Sequence, residues 1–155
     1  MRRKEREISD PRIIDEIIAR CEVCHVALAD GEMPYIVAMN FGYSRGNPSV
    51  IYFHCAPEGR KLDIIGRNNN ACFMLDTDHN LESGEKACDF TMKYSSVVGS
   101  GTISIAESPG EREKGLNTIM KQYTGRNDYS FNASTMTRTT ILKLEISEIS
   151  GKMVR

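Results

Sequence analysis

The sequence predicts a mainly β fold, a small antiparallel β-barrel with two or three flanking helices. Three observations carry this. Short apolar or alternating runs recur along the chain, separated by turn residues. Few segments show helical spacing behind a start signal. The 155 residues are 40% hydrophobic and 26% charged, which suits one domain, residues 1–155, with its own core.

The elements follow in order. Asp10 caps a helix with Pro11 in its first turn, and Ile13, Ile14, Ile17 and Ile18 recur at helical spacing over 11–20. Val23 to Ala29 reads as a strand ending in the turn Asp30-Gly31. Pro34 to Tyr43 reads as a second strand, Ser44 to Pro48 as a polar loop, and Ser49 to Ala56 as a third strand, so the last two form a hairpin. Lys61 to Arg67 is a short helix, closed by Asn68-Asn69-Asn70, and Ala71 to Leu75 is a fourth strand. Asp76 to Lys86, the longest polar stretch, reads as a mobile surface loop. Cys88 to Tyr94 and Ser96 to Ala106 are two strands or one long bent one, with Gly99 and Gly101 marking a bulge or close approach. Ser108-Pro109 opens a helix to about Tyr123. Residues 124–138 are polar and take no assignment, and Thr139 to Ile149 is the last strand.

The net charge of -1 speaks against a nucleic-acid partner, which calls for a basic excess or stripe. Met1-Arg2-Arg3-Lys4-Glu5-Arg6-Glu7 mixes both signs with no apolar run behind it, and no later segment is long enough to span a membrane. With no export signal, the five cysteines are expected to be reduced thiols in a cytoplasmic protein.

The run Ile51 to Leu62 is the most informative part of the chain. It reads as a buried strand, a tight turn and a helix with a basic start. Free N–H groups at a helix start attract an anion, and Arg60 and Lys61 add charge there. Gly59 lets the backbone come close. An ordinary solvated connection fits the local pattern equally well. Period-two geometry puts Tyr52 and His54 on one face and Phe53 and Cys55 on the other. Both faces are largely apolar, so His54 is either a core histidine bonded to a carbonyl or a residue facing a ligand. Asn40, between Met39 and Phe41, is likewise a hairpin residue or a ligand contact.

Cys21-Glu22-Val23-Cys24-His25 matches the C-x-x-C-H pattern of covalent haem attachment. The absence of an export signal and the motif's position across a helix end and a strand count against that use. A zinc site there needs a fourth ligand, from His54 or Cys55. No metal is expected. The nucleotide and hydrolase motifs G-x-x-x-x-G-K-[ST], H-E-x-x-H and G-x-S-x-G are absent, and Gly99-Ser100-Gly101 lacks the third glycine of a dinucleotide fingerprint.

Taken together, Met1 to Ile8, Pro34 to Tyr43, Tyr52 to Ala56, Gly59 to Leu62, Tyr94 to Val97 and Ser150 to Lys152 resemble the flavin-binding split-barrel proteins related to pyridoxamine 5'-phosphate oxidase. The branch they look most like is the nitroimidazole-resistance family. The resemblance implies a six-stranded split barrel and a homodimer with one FMN at each end of its interface. It places Val37, Ala38, Met39 and Asn40 along the isoalloxazine ring, and Tyr52, Phe53 and His54 near the ribityl chain and ring. It gives Arg60 and Lys61 the phosphate, and brings Ser95, Ser96 and Val97 to the flavin across the interface. It also makes His54 the candidate catalytic residue toward a small-molecule substrate. The implied activity is that of an FMN-dependent oxidoreductase acting on nitroaromatic, 5-nitroimidazole-like compounds. The alternatives are a non-enzymatic flavin-binding module and a haem-binding protein on the same barrel. The chain has no tryptophan and no C-terminal substrate-phosphate arginine motif, so oxidation of pyridoxamine phosphate is not expected.

Overall fold

The computed structural model describes residues 4–154, so Met1, Arg2 and Arg3 of the first resembling run lie outside the described residues. A single 3-10 turn, Lys4–Arg6, leads into the two-residue strand β1, Glu7–Ile8. Helix α1, Pro11–Arg20, starts as expected. The Asp10 carboxylate accepts from Arg12 N–H, Pro11 fills the first turn, and Ile14, Ile17 and Ile18 are buried.

Strands β2, Cys24–Asp30, and β3, Met33–Met39, form a hairpin, followed by β4, Phe41–Ser44, and β5, Val50–Cys55. Helix α2, Arg60–Arg67, and strands β6, Asn70–Glu82, and β7, Thr91–Ile105, come next. Helix α3, Pro109–Thr124, helix α4, Ala133–Arg138, and strand β8, Thr140–Val154, complete the chain. The sheet order is β3-β2-β6-β7-β8-β5-β4, with β1 added to β8, and every pairing is antiparallel. Because β3 runs directly into β4, the two ends of this order are joined by the chain itself, and the sheet curls into a split barrel. The expected six strands and the observed eight differ by β1 and by a break at Asn40, which divides one expected strand into β3 and β4.

One further expectation is corrected, and two open readings are resolved. Asp76 to Lys86 is not a mobile loop. Strand β6 runs through to Glu82 and pairs with β7 as far as Glu82↔Thr91, past a register shift where Asp78 has φ 60°. These residues are largely exposed, so the strand needs no apolar alternation there, and Lys93–Glu82 and Arg20–Asp78 ion pairs hold it. The segment 88–106 is a 3-10 turn followed by one long strand, and the bulge expected at its glycines is present between Ser100 and Gly101. The unassigned segment 124–138 contains α4. Its backbone is fastened to α3, where Asn117 exchanges two hydrogen bonds with Tyr129 and Arg112 donates to the carbonyls of Met136 and Thr139.

Two cores result. The barrel interior is filled by Val26, Phe41, Ile51, Phe53, Phe73, Leu75, Val97, Leu142 and Leu144, with Ile17 and Ile18 of α1 and Ile64 of α2. At about 1.5–3 kcal/mol for each large apolar side chain buried, this cluster dominates the stability of the fold. The second core lies outside the barrel, where Leu116 and Ile119 of α3 cover Tyr52 and Ile141. Close approach makes this possible. A Cβ at Gly42 would sit 2.4 Å from the backbone nitrogen of Ile119, and one at Gly115 would meet Ile141 and Tyr52 below 3.0 Å.

Candidate functional site

The site begins at a fork. In the β4–β5 pairing, Phe41 faces Phe53 and both are fully buried. One step further, the same register sets Asn40 opposite His54. There the strands part, β3 following β2 (Met39↔Cys24) and β5 following β8 (His54↔Ile141). Alternation turns Asn40 and His54 outward, and both are exposed. Ile36 and Ala38 of β3 are exposed as well, so Ile36, Ala38 and Asn40 form a row along the outer face of a strand whose second edge is free of the sheet order.

Beyond β5 the chain turns into the start of α2. Gly59 has φ 132°, a conformation L side chains rarely adopt, and no side chain caps the helix. The first N–H groups of a helix have no partner within it, so this end presents donors outward. Lys61 is close enough to Cys55 that its charge offsets part of the upward shift that burial gives the thiol. Arg60 is more committed. Its Nε and Nη2 donate to the Asp30 carboxylate at 3.1 and 3.0 Å, its guanidinium lies 5.0 Å from the Tyr35 ring centre, and Arg67 donates to the other Asp30 oxygen at 2.6 Å.

The structure sorts the expected site residues. Ala38, Asn40 and His54 are exposed at or beside the fork, whereas Arg60 is held toward the turn end of the β2–β3 hairpin by Asp30 and Tyr35. Val37 and Met39 face the barrel core, so toward the outer face only their backbone is available. Phe53 is inside the barrel. Tyr52 lies under α3 and donates its hydroxyl proton to Glu111 Oε1 at 2.5 Å, so it has no proton to give a ribityl or phosphate oxygen. Burial and the neighbouring Glu111 carboxylate both push the Tyr52 hydroxyl pKa upward. The reading of His54 as a core histidine is corrected, because the cover that α3 gives to Tyr52 stops short of it. Ser95, Ser96 and Val97 are buried on β7, separated from β3 by β2 and β6, and within one chain they do not reach the fork.

Cys21 and Cys24 are both buried, and burial pushes each thiol up to about 12, while His25 faces the opposite side of β2. That arrangement does not present the C-x-x-C-H thiols to a haem. No group of three or more His, Cys, Asp or Glu side chains among the described residues is arranged to hold a metal ion. No helix among the described residues is long and apolar enough to cross a membrane.

Three residues at the site escaped the sequence reading. Ile36 was within reach of it, since strand alternation gives it the face of Ala38. Asp30 was read only as a turn residue. Tyr123, whose hydroxyl bonds Asn40 and the Phe41 N–H, lies some eighty positions away on α3 and carries no local signal.

The curled antiparallel sheet with its flanking helices is a split barrel that carries an exposed polar fork and an uncapped basic helix start. The sequence profile of the pyridoxamine 5'-phosphate oxidase family matches residues 10–153, and the chain belongs to that family. Among solved structures, a candidate 5-nitroimidazole antibiotic resistance protein from Bacteroides thetaiotaomicron is similar at 30% identity. The match covers 95% of this chain and 86% of that one, with a TM-score of 0.82. A flavocytochrome from Azotobacter vinelandii shares 17% identity over 100% of this chain and 72% of that one, with a TM-score of 0.80. An FAD- and haem-binding protein from Mycobacterium smegmatis shares 15% identity over 97% and 74%, with a TM-score of 0.82. The last two likenesses show the fold. None of the proteins of curated function matches the chain.

Proposed function

We propose that this chain is an FMN-dependent oxidoreductase of small nitroaromatic compounds, working as a cytoplasmic homodimer. The observation that carries the reading is the fork with its two exposed polar side chains, Asn40 and His54, in a chain that also offers an uncapped helix start bearing Lys61 and Arg60. The residues fit the group. Ile36 and Ala38 offer an apolar bed to one face of a flavin ring, and the α2 start with Lys61 offers donors to a phosphate. Arg60 reaches the same phosphate by sharing or exchanging its contact with Asp30. Bound there, a flavin would supply the redox chemistry needed between a reduced donor and a nitro group. The exposed His54 imidazole positions the substrate and handles protons at its ring nitrogens. The 30% identical relative points to the substrate class.

The dimer reading rests on the outer sheet face. Ile36 is 68%, Val98 48% and Met74 42% exposed, and the pairings Ala38↔His25, His25↔Met74 and Met74↔Val98 set Met74 and Val98 on one ladder with Ala38, next to Ile36 on the same strand face. A second copy seated on this face would bring its own β7 residues toward the partner's fork, as the family resemblance implies for Ser95 and Ser96.

The test is direct. The purified protein is loaded with FMN, freed of excess, and given NADH or NADPH with a 5-nitroimidazole. Retained flavin bands and loss of the nitro absorbance support the reading. His54→Ala is expected to retain flavin and lose turnover, and unchanged turnover would make His54 structural. Retained FMN with no turnover under any donor favours a flavin-binding module instead.

A further inference from the structure

Tyr123 links three parts of the fold through one oxygen. Its hydroxyl lies 2.8 Å from the backbone carbonyl of Glu22, 3.0 Å from Phe41 N–H and 3.2 Å from Asn40 Nδ2. A carbonyl only accepts, so the single hydroxyl proton goes to Glu22. A backbone N–H only donates, so Phe41 fills one of the two acceptor positions on the oxygen. The remaining position accepts, and it must receive an N–H from Asn40. Turning the amide round would set its carbonyl against an oxygen with no proton left to share. The bonding pattern therefore settles which end of the amide faces Tyr123. The ring itself is held by an edge contact with Phe41, at 6.5 Å between centres, and by the docking of α3.

We infer that Tyr123 is a positioning residue that orients Asn40 with its carbonyl oxygen toward the fork, as an acceptor for a ring N–H of the bound ligand. The inference rests on the proposed flavin site, and there it assigns Asn40 Oδ1 to the imide N3–H of the isoalloxazine. No hydrogen bond to Asn40 Oδ1 is present among the described residues, and the side chain is exposed. The site would thus select rings that carry an N–H donor at that edge over rings that carry an acceptor or a methyl group.

The experiment compares FMN with N3-methyl-FMN, titrated by fluorescence quenching into the full chain freed of flavin. Wild type is expected to prefer FMN by at least about fivefold, the worth of one neutral hydrogen bond. Asn40→Leu keeps the bulk of the side chain but removes the acceptor, and the ratio should fall toward one. Tyr123→Phe keeps the ring on Phe41 but removes the hydroxyl, and the ratio should fall although Asn40 is intact. A merely structural role for Tyr123 would weaken both ligands alike and leave the ratio unchanged. A ratio in Asn40→Leu equal to that of wild type overturns the assignment to N3–H while leaving the flavin site standing. An unchanged ratio in Tyr123→Phe overturns the orienting role. Failure of wild type to bind FMN at all sinks this inference and the proposed function together.

Discussion

Replacing Gly42 by alanine is expected to lower stability by loosening α3 while leaving the barrel interior untouched. The new Cβ would lie 2.4 Å from Ile119 N and from Thr118 C, whereas ordinary contact begins at 3.4 Å. Both partners are backbone atoms and cannot rotate aside, so α3 must recede by about 1 Å. Overpacking of this kind costs about 1–3 kcal/mol. At roughly 2–4 °C per kcal/mol for a chain of this size, the melting temperature should fall by about 2–12 °C. Circular dichroism melts and urea titrations measure it, with Gly110→Ala and Gly66→Ala as controls, since a Cβ at either meets nothing within 4 Å. The controls should be neutral or gain up to about 1 kcal/mol from helix propensity. If Gly42→Ala melts within a degree of wild type, the close approach of α3 is not a constraint and the reasoning fails.

Lys61→Ala is expected to weaken FMN binding by about 10- to 100-fold, the loss of a charge-assisted hydrogen bond, with a smaller loss for Arg60→Ala because Arg60 already serves Asp30. Equal affinity in wild type and the double variant refutes their phosphate role. In the native protein a thiol reagent should modify the exposed Cys72 and Cys88 quickly, and Cys21 and Cys24 only on unfolding. Burial holds those two thiols at about 12 in the folded state, against about 8.5 for an unfolded thiol. Their stabilising contribution is therefore complete below about pH 8.5 and is lost as pH rises toward 12. Urea midpoints should decline over that window, less steeply in Cys24→Ala, and identical slopes would contradict the burial argument. Val98→Glu, on the outer sheet face, should shift the species seen by light scattering from dimer to monomer, whereas a persistent dimer would place the interface elsewhere.

Much of the frame was legible because it is written locally. Asp10-Pro11 and the isoleucine spacing fix α1, and Ser108-Pro109 starts α3. What escaped depends on contacts made far along the chain. Nothing local breaks the run from Pro34 to Tyr43, because the break at Asn40 comes from β3 pairing with β2 while β4 pairs with β5. The polar stretch after Leu75 read as a loop because the solvent-exposed end of a hairpin carries no apolar signal. Tyr52 and His54 share a strand face, yet α3 buries the first and leaves the second exposed, and where a helix's cover ends is a tertiary fact. For the same reason the site's outward row, Ile36, Ala38 and Asn40, was only half read from the strand, and Tyr123 was not read at all.

Helix α4 has six residues, too few to hold itself together in water. Asn132 caps its start, and its far end is closed by the side chain of Arg112, which belongs to another helix. The segment from residue 125 to 139 is thus folded on credit from α3, through Asn117 and Arg112. Order in α4 becomes a reporter of α3 docking. Its amides should exchange with solvent whenever α3 lifts, making this stretch a built-in gauge of the helix that also holds Tyr123 over the fork.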